Sequence, residues 1–176
     1  DHILNKIHVQ PGQTLLDIGC GWGALVCWAA QKYGAQCIGI TLSQNQFDLA
    51  TERVKEAGLQ DRIEIRLQDY RDTQGQFDRI TSVGMFEHVG KDNLPGYFGR
   101  ISKLLKDDGV VMNHGITVSD PDSGEVPMDG SGFMDRYVFP QGELPHIGLV
   151  LNTAQQGGLE AFDVELLRRH YAQTLR

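Results

Sequence analysis

The 176-residue chain is poor in cysteine, in long apolar runs and in positive charge, and each shortage excludes a class of protein. Its three cysteines cannot build a disulfide framework and form no Cys-x-x-Cys pair, so we expect a reducing, cytoplasmic setting without a metal site. No apolar run reaches the roughly 18 residues of a membrane-spanning helix, and we expect no secretory leader. The net charge of −7 argues against nucleic acid as a partner, because phosphate binding needs a basic surface.

Length and composition indicate one domain, spanning residues 1–176. The hydrophobic content of 40% and the charged content of 22% are ordinary for a globular protein, and the chain is long enough to bury a sizeable core. The first and last residues already continue regular patterns. We therefore expect a domain that is truncated at both ends.

Short apolar runs alternate with helical stretches, which is typical of an α/β fold with a doubly wound, mostly parallel sheet. The expected strands are Thr14–Ile18, Gln36–Thr41, 62–67, Phe77–Val83, 109–116 and a last one near 162–171. The expected helices are Ala24–Tyr33, 44–57, 93–105 and 148–156, with a long loop over 117–144.

The segment "LLDIGCGWGAL" places Gly19, Gly21 and Gly23 where the first strand turns into the first crossover helix. Glycines let a ligand approach the backbone, and this turn lies at the carboxyl edge of the sheet, where ligands bind. The spacing also fits the loose dinucleotide pattern. However, Asp17 would repel a pyrophosphate, and the second strand ends without the acidic residue that a nicotinamide cofactor needs. Both features favour S-adenosylmethionine, although a tight turn without a ligand remains an alternative.

The segment "SVGMFEHVG" ends the fourth strand in a carboxylate and an imidazole, Glu87 and His88. Because the fourth strand neighbours the first in a doubly wound sheet, Glu87 should open beside the glycine turn. It could instead be an ordinary carboxylate at a helix N-terminus. His114 could likewise be a hydrogen-bonded core histidine, and we expect His88 to be structural.

Six blocks in order, "LLDIGCGWG", "GITLSQNQ", "RLQDYRD", "FDRITSVGMFEHVG", "HGI" and "HYAQTL", resemble the cyclopropane-fatty-acid synthase family. The resemblance runs from about residue 15 to residue 175. It implies a Rossmann-like fold of the class I S-adenosylmethionine-dependent methyltransferases and an unsaturated acyl chain as acceptor. The family's N-terminal Tyr-Ser-Cys segment and its C-terminal extension have no counterpart in this sequence.

The resemblance also implies how the cofactor is held. Thr41 and Gln46 would bind the ribose hydroxyls, Asp69 would accept from the adenine amine, and Tyr70 would lie against the purine. Ser43 and Gln46 could instead form a capping box, a role that competes for the same amide. The full set of expected cofactor residues is Asp17, Gly19, Gly21, Gly23, Thr41, Leu42, Gln46, Asp69, Tyr70 and Gly84.

By the same resemblance, Glu87, His114, Tyr171 and the backbone of Ile116 would hold a bicarbonate ion that acts as the base. We expect Glu87, His114 and Tyr171 at three strand ends on one sheet edge. The double bond would attack the methyl group, and removal of a proton from that methyl would close a three-membered ring. This chemistry needs a pocket that excludes water.

The acceptor implied by the resemblance is an unsaturated phospholipid or another acyl lipid, reached through peripheral contact with a membrane. Two alternatives stay open. One is a related C-methyltransferase acting on another lipid or a small molecule, and the other is a non-catalytic fold that binds the cofactor.

Overall fold

The computed structural model describes residues 1–119 and 144–174, except for the side chains of residues 171 and 174. Its centre is a five-stranded parallel sheet of order β3-β2-β1-β4-β5, with helices on both faces. The chain therefore winds outward twice from β1, first to β3 and then to β5. This is the doubly wound arrangement that the sequence pattern predicted.

The strands are β1 Thr14–Ile18, β2 Gln36–Thr41, β3 Ile63–Leu67, β4 Phe77–Val83 and β5 Leu105–His114. The helices are α1 His2–Lys6, α2 Ala24–Tyr33, α3 Gln44–Glu56, α4 Leu94–Leu104, α5 Ile147–Gln156 and α6 Arg168–Thr174. Single 3-10 turns lie at Tyr70–Asp72, Phe86–His88 and Lys91–Asn93. Each expected strand from β1 to β4, and each expected helix, is present to within one or two residues.

Local signals set the end of α2 and the start of α3. Gly34, in the left-handed conformation with a φ of 69°, ends α2. Ser43 starts α3, because its side chain accepts a hydrogen bond from the backbone N–H of Gln46. A glycine after a helix and a serine before one are the residue types preferred at these positions.

Two apolar layers cover the sheet. On one face, α4 and α5 pack over residues that include Leu16, Ile18 and Ile80. On the other face, a second buried cluster combines residues of α1 and α2 with Leu15 and Val54. Successive β1 residues enter opposite layers, as the two-residue period of a strand requires.

The structure corrects two expected strands. β5 starts at Leu105 rather than 109, because Leu105 pairs with Phe77 before an irregularity carries the ladder on to Val110. The expected strand over 162–171 is wrong: no described residue there pairs with the sheet, and Arg168–Thr174 is helical. A strand exists only where a neighbouring backbone pairs with it, and a local segment does not show which backbone that is.

Most of the expected loop over 117–144 lies outside the described residues. At its start, Val118 forms an isolated parallel bridge with His146, just before α5. Within residues 1–119 and 144–174, no helix is long and apolar enough to span a membrane. The same residues contain no group of three or more His, Cys, Asp or Glu side chains that could hold a metal ion.

Candidate active site

The turn after β1 is built from glycines in the left-handed conformation. Gly19, Gly21 and Gly23 have φ values of 75°, 54° and 78°, which residues with a side chain adopt only under strain. The backbone N–H groups of Gly19 and Cys20 both donate to the carbonyl of Ile40, at 3.0 and 2.9 Å. The turn is thus fastened to the end of β2, where the expected ribose contacts begin.

The glycines of the site have two different surroundings. A Cβ at Gly19 would lie 3.1 Å from the side chain of Met85, and one at Gly23 would lie 3.0 Å from Ala50. Among the described residues, a Cβ at Gly21 or at Gly84 would meet nothing within 4 Å. The first pair is therefore needed for packing, whereas the second pair exposes bare backbone to open space, as a ligand cradle would.

The contact between Gly19 and Met85 also joins the two halves of the site. Met85 lies between Gly84 and Glu87 in the segment that follows β4. The mouth of β4 therefore touches the glycine turn, as the sequence analysis expected from the neighbouring positions of β1 and β4.

Asp17 lies beneath the turn rather than in it. It is 3% exposed, and it accepts a hydrogen bond of 2.7 Å from the hydroxyl of Thr81, its register partner on β4. Burial raises the pKa of Asp17 to about 6, although the Thr81 hydrogen bond opposes the shift. Its influence on a ligand would therefore act through its charge and through the shape of the turn.

At the end of β2, one hydroxyl organises the expected ribose residues. Thr41 donates to the side-chain oxygen of Gln46 at 2.7 Å and accepts from the backbone N–H of Ser43 at 3.1 Å. Ser43 caps α3 alone, so the reciprocal half of the capping box is not formed. The arrangement leaves the amide NH₂ of Gln46 to donate elsewhere. Leu42, between these residues in the chain, is exposed.

After β3, Asp69 caps the 3-10 turn that begins at Tyr70, where the adenine is expected. The carboxylate of Asp69 accepts from the backbone N–H and from the guanidinium of Arg71, with the shortest contact at 2.6 Å. The Arg71 guanidinium holds the pKa of Asp69 below its ordinary value. The residue expected to recognise adenine is therefore ionised and fixed in orientation by its neighbour.

The segments after β4 and β5 meet around Glu87. This carboxylate is 1% exposed, and its Oε1 accepts from the backbone N–H of Ile116 at 2.8 Å. Among the described residues, its buried Oε2 has no hydrogen-bond partner. The backbone N–H of Gly84 donates to the carbonyl of His114 at 2.9 Å, which closes the two strand ends together. The structure thus brings Glu87, His114 and Ile116 into one region.

Tyr171 does not lie at a strand end as expected. It belongs to α6, and its side chain is outside the description, so its role stays a prediction. The segment before α6 lies beside α1, because Lys6 forms ion pairs with Asp163 and Glu165 at 2.9 and 2.8 Å. His88 is exposed, and its expected structural role stays a prediction.

Sequence reasoning missed three supports of the site, Thr81, Arg53 and Tyr97. The guanidinium of Arg53 donates to the carbonyl of Trp22 within the glycine turn at 3.0 Å. Tyr97 is fully buried and contacts both Tyr70 and the ends of β4 and β5. No short motif marks these residues. For Arg71, the Asp-x-Arg spacing was a usable signal.

The sequence profile described as "Mycolic acid cyclopropane synthetase" matches residues 1–176 of the chain. A probable fatty acid methyltransferase of Pseudomonas putida is 48% identical over 177 residues, which cover 99% of this chain and 45% of that protein. The cyclopropane-fatty-acyl-phospholipid synthase of Escherichia coli K12 is 40% identical over 87% of this chain and 38% of its own length. The chain thus spans less than half the length of these two relatives.

Solved structures agree with the sequence comparisons. The mycolic acid cyclopropane synthase CmaA1, complexed with SAH and CTAB, superposes with a TM-score of 0.89 at 36% identity, covering 99% of this chain and 64% of that one. The cyclopropane synthase MmaA2 of Mycobacterium tuberculosis gives a TM-score of 0.90 at 34% identity with the same coverage. The parallel sheet and its glycine turn are therefore those of the class I methyltransferase fold, and the chain belongs to the mycolic acid cyclopropane synthetase family.

Proposed function

We propose that the protein is an S-adenosylmethionine-dependent methyltransferase that adds a methylene group to the double bond of an unsaturated acyl chain of a phospholipid, forming a cyclopropane ring. The observation that carries the proposal is Glu87, a buried carboxylate with one unpartnered oxygen among the described residues. It follows Met85, which touches the glycine turn. A proton acceptor and a donor cradle therefore share one edge of the sheet.

The residues present fit S-adenosylmethionine. Gly21 and Gly84 leave open backbone for the methionine part, and the NH₂ of Gln46 can donate to a ribose hydroxyl. Asp69 is ionised and oriented to accept from an adenine amine. When bound, the cofactor supplies a methyl group on a positively charged sulfur. Asp17 places a negative charge beneath that region once it is ionised.

The chain's part in the proton removal centres on Glu87. Its Oε1 is held by the Ile116 N–H, so the carboxylate is fixed, while Oε2 can accept a hydrogen bond. An unpartnered buried oxygen is costly, and a hydrogen-bond donor at that position would remove the cost. Bicarbonate would be held there by Glu87, together with His114, Tyr171 and the backbone of Ile116. In that position it would supply the base.

Apolar side chains around the carboxyl edge support a lipid acceptor. They follow different strands but share the rim, and they are between 37% and 74% exposed: Trp22, Leu42, Leu67, Val83 and Ile116. Exposed apolar side chains gathered around a polar centre mark a site for an apolar ligand or a membrane surface. An acyl chain entering over this rim would also exclude water from Glu87. Peripheral contact with a membrane is part of the proposal.

A second candidate is methylation of a fatty acid without ring closure. It is favoured by the Pseudomonas putida relative, which is described as a probable fatty acid methyltransferase and shares 48% identity. The same acceptor geometry serves both reactions, because they differ in which proton leaves after methyl transfer.

The test uses the purified protein with radiolabelled S-adenosylmethionine and two acceptors, an unsaturated phospholipid in vesicles and the corresponding free fatty acid. We expect label in the phospholipid and a mass gain of one methylene per acyl chain. Mild catalytic hydrogenation then distinguishes the products, since it saturates a methyl-branched alkene and leaves a cyclopropane intact. Label in neither lipid would contradict the proposal.

Glu87→Gln provides the residue-level test. We expect it to abolish turnover and to leave the affinity for S-adenosylhomocysteine within about twofold, because the neutral amide lacks the charge that fixes the base and takes up its proton but keeps the shape of the site. Glu52→Gln, on the exposed face of α3, is the matched control. Full activity in Glu87→Gln would rule out this role for Glu87.

A further inference from the structure

Helix α4 carries a tyrosine whose two ends reach the two halves of the candidate site. Tyr97 is 0% exposed. Its hydroxyl lies 2.8 Å from Ser82 Oγ and 2.9 Å from Asn113 Oδ1. Its ring meets that of Tyr70 edge to face, with centroids 5.4 Å apart and planes at 83°. One side chain therefore joins the expected adenine turn to the ends of β4 and β5.

The hydroxyl end controls the strands that present Glu87 and His114. Ser82 and Asn113 are register partners, one position before the pair Val83 and His114. Immediately beyond that pair, the Gly84 N–H reaches the His114 carbonyl. A hydroxyl bound to both Ser82 and Asn113 adds a side-chain link to the backbone pairing where the two strands open into the site.

The ring end controls the turn that carries Tyr70. The edge-to-face contact limits where the Tyr70 ring can lie, and such pairs have a preferred geometry. A second residue of the same helix, Arg100, donates to the carbonyl of Thr73, which follows the turn. Helix α4 thus holds the adenine turn at two points and the strand ends at a third.

A phenylalanine would meet the packing requirement at this position without the cost of burying a hydroxyl. Neighbouring Phe98 is an example on the same helix of a buried ring without a hydroxyl: it is 2% exposed and packs against the Tyr97 ring. The hydroxyl of Tyr97 is tolerated because Ser82 and Asn113 satisfy it. Burial raises the pKa of Tyr97 further above its ordinary value, so the phenol stays neutral and its proton stays in the hydrogen bonds.

We propose that Tyr97 is a positioning residue that holds the cofactor turn at Tyr70 in register with the proton-accepting end at Glu87 and His114. This rests on the proposed function. The two ends of Tyr97 have separable effects: the ring supports cofactor affinity, and the hydroxyl supports turnover. A misplaced acceptor lowers the rate of the chemical step without changing how the cofactor is held.

Two substitutions separate the ends. Tyr97→Phe keeps the ring, so we expect an unchanged dissociation constant for S-adenosylhomocysteine, within about twofold, and a kcat lower by about tenfold. Tyr97→Leu removes the ring as well, so the affinity should also weaken, by about tenfold. The measurements are calorimetric titration with S-adenosylhomocysteine and steady-state transfer of labelled methyl to phospholipid vesicles, with unfolding curves to confirm folding.

Two controls match the two changes. Tyr33→Phe removes a hydroxyl on α2 that bonds only to Asp1 and Asn5 among the described residues, and we expect no change in kcat. Phe98→Leu removes an aromatic ring from the same helix without touching a hydroxyl, and we expect lower stability with unchanged affinity.

The outcomes decide between positioning and packing. If Tyr97→Phe lowers stability but leaves kcat unchanged, Tyr97 is a packing residue and the inference is wrong. If Tyr97→Phe does not fold, Ser82→Ala removes one partner of the hydroxyl and should reproduce the loss of kcat; no loss there refutes the inference. If the unmodified protein binds S-adenosylhomocysteine but methylates no lipid, the proposed function fails by itself. The affinity for S-adenosylhomocysteine then decides the inference. Tyr97→Leu must weaken this affinity more than Phe98→Leu does, and an equal or smaller effect refutes the inference.

Discussion

Asp17 keeps a carboxylate inside the sheet, 3% exposed and bonded to Thr81, and replacing it with asparagine removes the charge while keeping the size. The amide oxygen of asparagine can still accept from the Thr81 hydroxyl. The substitution therefore isolates the cost of the buried charge. A buried charge lowers the stability of the fold. The substitution therefore also tests whether the charge is kept because it binds the cofactor.

The size of the effect follows from the pKa. Burial raises the pKa of Asp17 from 3.8 to about 6. Between these values the folded protein binds a proton that the unfolded chain has released, so its stability falls as the pH rises. A shift of about two pKa units, at ~1.4 kcal/mol each, corresponds to about 3 kcal/mol lost above pH 6. Since the new amide hydrogens need acceptors, we expect Asp17→Asn to be more stable by about 1–3 kcal/mol near pH 7.5.

The assay is urea unfolding of both proteins at pH steps from about 4 to about 8, with linear extrapolation to water. The difference in the free energy of unfolding should be smallest near pH 4 and should grow until about pH 6 or 7. Asp61→Asn, which changes an exposed aspartate after α3, is the control and should give no such pH dependence. Other carboxylates titrate equally in both proteins and cancel in the difference.

Affinity for S-adenosylhomocysteine should change in the opposite direction. We expect Asp17→Asn to bind it about tenfold more weakly, because the carboxylate no longer attracts the ammonium group. A variant less stable than wild type near pH 7.5, or a stability difference independent of pH, would refute the pKa argument. Unchanged affinity would remove Asp17 from the cofactor site.

Three further predictions follow from the same geometry. Binding of S-adenosylhomocysteine at pH 6 should release about half a proton, because the ammonium favours ionised Asp17; calorimetry in buffers of different ionisation enthalpy measures this, and Asp17→Asn should release none. Both Gly21 and Gly23 have positive φ, so an alanine at either position strains the backbone. Gly23→Ala should lower the midpoint of urea unfolding further, since its Cβ would also lie 3.0 Å from a side chain of α3. Gly21→Ala should weaken cofactor affinity more than Gly23→Ala does, since its Cβ would enter the space left open for a ligand. At Asp78, desolvation raises the pKa, but hydrogen bonds from Lys106 and Thr14 outweigh it and lower the pKa to about 2. Asp78→Asn should therefore cost about 1–2 kcal/mol at neutral pH, and the cost should vanish in unfolding curves as the pH falls from about 4 to 2.

The elements around the cofactor site could be predicted because their causes are local. The spacing of Gly19, Gly21 and Gly23 predicts a turn, and all three adopt a positive φ there. The short apolar runs of β1 and β2 form strands with the predicted bounds, since they are buried on both faces. Gly34 ends α2 because a residue without a side chain adopts the left-handed conformation without a steric cost.

The predictions that were wrong concern partners distant in the chain. A last strand was expected near residues 162–171, yet Phe162 and Val164 are exposed and no described backbone pairs with them. β5 began earlier than expected because Phe77 pairs with Leu105, 28 positions later. Pairing depends on which backbones meet, and this is not encoded in the segment itself.

The sequence by itself determined the sheet, its glycine turn and the residue types gathered at its carboxyl edge, because burial period, glycine conformation and helix capping act over a few neighbouring residues. Only the tertiary structure decided which of those residues are used. It buried Asp17 against Thr81, 64 positions away, fixed Glu87 on the N–H of Ile116, and placed Tyr97 between Tyr70 and the ends of β4 and β5. Hydrogen bonds and desolvation depend on distances that arise when separate elements pack together, so these assignments required the folded chain.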